Sequence, residues 1–100
     1  MRLRDPSEQP PFHIAHSELF ETAYFNLERQ FPFLSEAYDD LDWIMSRDPW
    51  GNSEPVAAFP ERNLRLAVTP RTPRYPSLRV LMEVEVERRR VLFWSLSARV

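Results

Sequence analysis

The sequence carries thirteen cationic side chains, all of them arginine, and three fall at matching places in strand-like runs. Arg65 lies in the run Asn63–Thr69, Arg79 in Leu78–Val86, and Arg99 closes Val91–Arg99. Each sits among alternating apolar residues, the period of two that marks a strand with one buried face. A guanidinium keeps its charge and offers a planar fork of donors that suits phosphate. Carried on the same side of neighbouring strands, the three predict an open surface for a phosphate-bearing ligand. The plain alternative is that they pair across strands with Glu83, Glu85 or Glu87. Neither His13 nor His16 predicts a metal site, since there is no cysteine and no zinc-ligand spacing around them. They read as surface or packing residues, and no cofactor is expected. The triplet Arg88-Arg89-Arg90, flanked by acids, reads as a solvated hairpin turn.

Elements must hold these side chains in place. Phe12–Ala15 is short enough for an edge strand. From Ser17 the spacing changes: Phe20, Ala23, Tyr24, Leu27 and Phe31 form one stripe of an amphipathic helix. Ser17 suits an N-cap, with Glu18 and Glu21 placed to complement the helix dipole. Phe31-Pro32 breaks the helix, and proline suits the first turn of a second one. There Leu34, Ala37, Tyr38, Leu41, Ile44 and Met45 mark the buried stripe, leaving Glu36, Asp39, Asp40 and Asp42 to solvent. Trp43 falls off the stripe and is a candidate partner contact. Asp48-Pro49-Trp50-Gly51-Asn52 ends the hairpin, and its lone glycine predicts a positive φ.

Three strands follow. In the first, Leu64, Leu66 and Val68 oppose Arg65 and Ala67. The second sets Leu78, Val80, Met82, Val84 and Val86 against Arg79, Leu81, Glu83 and Glu85. The third sets Leu92, Trp94 and Leu96 against Val91, Phe93, Ser95 and Ser97. Between the first two, three prolines in Thr69–Ser77 require a loop. The order β-α-α-β-β-β predicts an α+β domain, a helical hairpin on one face of a small antiparallel sheet. The arginines would lie on the other face.

Composition sets the outer limits. One hundred residues predict a single domain, with residues 1–10 a charged, proline-bearing tail. Residues 1–50 hold four arginines against ten acids, and residues 51–100 nine against five, so acidic and basic surfaces should separate. No apolar run is long enough to span a bilayer and no signal-peptide core is present, so the expected location is the cytoplasm.

Several strings resemble the RelE/ParE superfamily of bacterial toxins from type II toxin–antitoxin pairs. They are Phe31-Pro32, Trp43-Ile44-Met45-Ser46-Arg47-Asp48-Pro49, Leu64-Arg65-Leu66 and Leu78-Arg79-Val80-Leu81-Met82-Glu83-Val84, within a resemblance that covers most of residues 12–99. It implies a growth-inhibiting toxin neutralised by a cognate antitoxin. It leaves two mechanisms open, ribosome-dependent cleavage of mRNA without a metal, or ParE-like inhibition of DNA gyrase. A third possibility is a protein-binding module that has the fold without toxicity. For RNA cleavage the resemblance implies Arg65, Arg79 and Arg99 as catalytic cations, with Arg71, Arg74 and Tyr75 of the proline loop contacting substrate. The family's C-terminal tyrosine has no counterpart here, which leaves Tyr75, Glu83 and Glu85 as acid–base candidates. The two glutamates share the face of Arg79 and would repel an RNA backbone.

Overall fold

The computed structural model describes residues 11–59 and 61–99; the tail expected over residues 1–10 lies outside them. The elements run β1 (His13–His16), α1 (Glu18–Gln30), α2 (Leu34–Arg47), β2 (Glu54–Pro55), β3 (Leu64–Val68), β4 (Ser77–Glu85) and β5 (Arg90–Arg99). The five strands form one sheet in the order β1-β5-β4-β3-β2. The meander β3-β4-β5 and the short β2 are antiparallel, whereas β1 joins β5 in parallel. The architecture is the expected α+β arrangement, with a parallel edge and the two-residue β2 added to it.

Local chemistry sets the helix limits. Ser17 caps α1, its hydroxyl accepting from the Phe20 N–H at 3.1 Å and donating to the Trp94 carbonyl at 2.6 Å. One side chain therefore satisfies a free helix donor and pins the helix start to β5. Pro32 lies in the link and not in the first turn of α2, which starts at Leu34 after Phe33. The Leu34 and Glu36 amides instead bond back to the Phe31 and Phe33 carbonyls.

Both helices cover one face of the sheet. Phe20 from α1 and Leu34, Ala37, Leu41 and Met45 from α2 are buried with Leu78, Val80, Met82 and Val84 of β4 and Val91 and Phe93 of β5. Ala23, Tyr24, Leu27, Phe31 and Tyr38 pack around that core, as the helical spacing predicts. Ile44 departs from its stripe and is exposed.

The strand faces require two corrections. In β5 the alternation is not continuous: the register slips by one residue, with Met82 opposite Phe93 but Leu81 opposite Ser95. Trp94 is the extra residue of a β-bulge. Beyond it Leu96 and Ala98 turn to the helix side, while Ser95 and Ser97 turn away. In β3, Arg65 pairs with Met82 and Ala67 with Val80, so both face the helices. Leu64, Leu66 and Val68 are on the open side with Arg79, Leu81 and Glu83. Arg65 therefore does not share a face with Arg79.

The positive φ also lies elsewhere. It belongs to Arg89 (47°) in the β4–β5 turn, and Gly51 has none. Gly51 is small for a different reason: a Cβ there would come within 2.2 Å of the Asp48 carboxylate, which accepts the Gly51 N–H at 2.9 Å.

Candidate functional site on the open sheet face

The uncovered face of β3, β4 and β5 has a half-buried apolar middle of Leu66, Leu81, Leu92 and Trp94. Its two ends differ in charge. At one end lie Glu83 and Glu85, both neutralised within the chain. Arg62 forks onto Glu83 (Nε 3.2 Å), and the Trp94 indole N–H donates to the same carboxylate at 3.1 Å. Arg90 forks onto Glu85 at 3.0 and 2.7 Å, and Arg88 approaches it at 3.7 Å. The Arg62 hydrogen bond, helped by Trp94, holds the Glu83 carboxyl below its ordinary range against the opposing effect of burial. The glutamates read from sequence as a repulsive wall are thus compensated, by arginines other than the three expected.

At the other end stand Arg79 and Arg99, both exposed. Arg79 is opposite Ser97 and Arg99 opposite Ser77, which makes the two arginines diagonal neighbours on one face. The loop after β3 opens at this end and carries the exposed Arg71. No hydrogen bond or ion pair joins Arg71, Arg79 or Arg99 to any other described residue. The cross-strand pairing that was the plain alternative is absent for all three of Arg65, Arg79 and Arg99 among the described residues.

The remaining expected site residues go elsewhere. Arg65 donates to the Ser53 hydroxyl (2.6 Å) and to the Ser53 (2.8 Å) and Trp50 (3.2 Å) carbonyls, with its guanidinium 5.2 Å from the Trp50 ring. It clamps the loop after α2 onto the sheet edge. Arg74 pairs with Glu36 at 3.1 Å and lies over the Phe33 ring. Tyr75 packs against the core from the helix side, lining a cleft of about 380 Å³ with Leu41, Trp43 and Met45. It does not face Arg79 and Arg99.

A second polar cluster had no sequence signal beyond its residue types. His16 bonds to the Tyr38 hydroxyl, which donates to Asp42 at 3.1 Å. Burial holds His16 below its ordinary pKa against the pull of Glu21 and Asp42, and burial, with Asp42, pushes Tyr38 up. Asp42 is half-buried and engaged, not the freely solvated residue its place on the helix suggests. Among the described residues no group of three or more His, Asp or Glu side chains has the arrangement of a metal site, and no helix is long and apolar enough to cross a membrane.

The architecture has a counterpart among solved structures. It matches a chain in the crystal structure of the toxin–antitoxin complex RelBE2 from Mycobacterium tuberculosis with a TM-score of 0.71 over 92% of this chain and 95% of that one. The two are 15% identical, a likeness of fold alone. No family model and no curated protein matches the sequence.

Proposed function

We propose that this chain is the toxin of a toxin–antitoxin pair, held in check by a cognate antitoxin, and that it inhibits growth by engaging RNA phosphate at the cationic end of its open sheet face. The observation that carries this reading is the pair Arg79 and Arg99, diagonal neighbours without partners among the described residues, on a RelE-type fold. In mRNA cleavage the ribose 2′-oxygen attacks phosphorus and the 5′-oxygen leaves. Negative charge builds on the phosphorane, and fixed guanidinium groups stabilise it where it develops. Arg71 extends the cationic surface toward the flanking backbone.

One feature favours a second reading, a non-catalytic inhibitor such as a ParE-like gyrase poison. Among the described residues, no acid–base side chain is available at the Arg79–Arg99 end: Glu83 and Glu85 are tied to Arg62 and Arg90 at the other. Arginine does not accept a proton at neutral pH, so two guanidiniums supply charge but no general base.

Induced expression of the chain alone in a bacterium tests the reading. Growth arrest is expected, and Arg79→Ala with Arg99→Ala should relieve it while the protein still folds. Arrest that survives both changes excludes the sheet face. Ribosome-dependent mRNA cleavage in a translation extract, against loss of gyrase supercoiling, then separates the two mechanisms.

A further inference from the structure

The helix side of the molecule carries a cleft unlike the rest of the surface. Its volume is about 350 Å³, and its walls are the rings of His16, Phe20, Tyr24, Phe25 and Tyr38 with two carboxylates, Glu21 and Glu28, at the rim. The rings form one connected cluster: Phe20 stacks between His16 (4.8 Å) and Tyr24 (6.4 Å), and Tyr24 meets Tyr38 edge-on at 5.4 Å. Phe25 is 62% exposed. The spacing of α1 builds most of this surface, since residues 20, 24 and 28 follow one ridge and 21 and 25 the next, with His16 added from the end of β1.

Elsewhere among the described residues, five aromatic rings lie under the chain's own arginines. Arg47 lies over Trp43 (4.2 Å), Arg62 over Trp94 (5.6 Å), Arg65 over Trp50 (5.2 Å), Arg74 over Phe33 (4.2 Å) and Arg89 over Phe12 (4.3 Å). Among the described residues none lies over the α1 cluster, and no arginine pairs with Glu21 or Glu28. The cleft therefore has the ring faces and the carboxylates of a cation site but lacks the cation.

We infer that this cleft receives an arginine or lysine side chain from a protein partner. The apolar stem would run along Phe25 and Tyr24, and the charged head would sit between Glu21 and Glu28. An anion is repelled by the rim, and a purely apolar anchor offers no charge to Glu21 or to Glu28, whose one partner is the Tyr24 hydroxyl among the described residues. The neutral state that burial favours for His16 keeps a competing positive charge out of the cleft. The site is on the opposite side of the sheet from Arg79 and Arg99, so it goes beyond the sheet-face reading and does not depend on it.

Ring resonances of the full chain, followed by NMR during titration with a tetra-arginine peptide, test the inference. Saturable shifts at Tyr24, Phe25 and Tyr38 are expected. They should weaken about fivefold or more in the Glu21→Gln, Glu28→Gln double variant, whose ring spectrum without peptide reports that it still folds. A tetra-citrulline peptide, neutral but similar in shape, should bind much more weakly. Equal binding of citrulline, equal binding of spermidine, no saturation, or shifts confined to the Asp39–Asp40 surface would each overturn it. None of these outcomes touches the growth-arrest test of Arg79 and Arg99.

Discussion

At the scale of single residues, arginine performs two different jobs, and neighbouring groups decide which. Arg65 has three hydrogen bonds within the chain and a ring beneath it, so its work is to hold the loop after α2. Arg65→Ala should cost about 1–2 kcal/mol in denaturant unfolding, by losing charged hydrogen bonds at a partly covered site, and should speed proteolysis near Ser53. Among the described residues Arg79 and Arg99 make no such bonds, so Arg79→Ala and Arg99→Ala remove none. They should shift the unfolding midpoint little while abolishing growth arrest, so stability and toxicity measured together separate the two kinds of arginine. Gly51 makes a related point. Gly51→Ala should destabilise the chain by about 1 kcal/mol, because its Cβ displaces the Asp48 carboxylate from the turn it closes, not because of backbone strain. A positive φ is read from a lone glycine by habit of the residue type, whereas the close approach here exists only in the folded loop.

At the scale of elements, the bulge in β5 governs the sheet. Without the extra residue at Trp94, Leu96 and Ala98 would face solvent and Ser95 and Ser97 the helices. The unbroken period of two in the sequence gives that wrong arrangement. Its physical source is hidden, since the slip is stabilised by Trp94 reaching Glu83 and by Ser17 holding the Trp94 carbonyl. Leu96→Ala should cost about 2–3 kcal/mol as a buried truncation, and Ser95→Ala close to nothing, in thermal or denaturant melts. The reverse ranking would mean that the alternation runs through without a bulge. Ser17→Ala removes a cap and a strand contact together and should cost about 1–2 kcal/mol. The helices themselves were legible because their apolar stripes are long and their limits are marked by Ser17 and Pro32.

Across the whole molecule, charge is sorted by side, with acids on the helices and cations at one end of the open sheet face. Two groups couple that arrangement to pH. His16 is held below its ordinary value in the fold, so the unfolded chain takes the proton first as pH falls through about 6.5. Stability is flat above that pH with respect to His16 and declines below it, until the folded form is protonated as well. Glu83 is depressed by Arg62 and Trp94, so its contribution is present above about pH 4.5 and lost as pH falls through its lower folded value. Melting temperature should therefore fall in two stages on acidification. His16→Gln should flatten the upper stage and Glu83→Gln the lower, as followed by circular dichroism.

The sequence by itself determined the order of every element but the two-residue β2, the buried stripes of both helices apart from Ile44, the core face of β4 and the α+β class, because each is a local periodicity that one face of one element must satisfy. Folding alone decided which arginines meet. The side of the sheet on which Arg65 lies depends on its register with Met82, the faces of β5 depend on a one-residue slip, and the lack of partners for Arg79 and Arg99 among the described residues goes with Arg62 holding Glu83. These are pairings between distant segments, and no spacing along one strand encodes them.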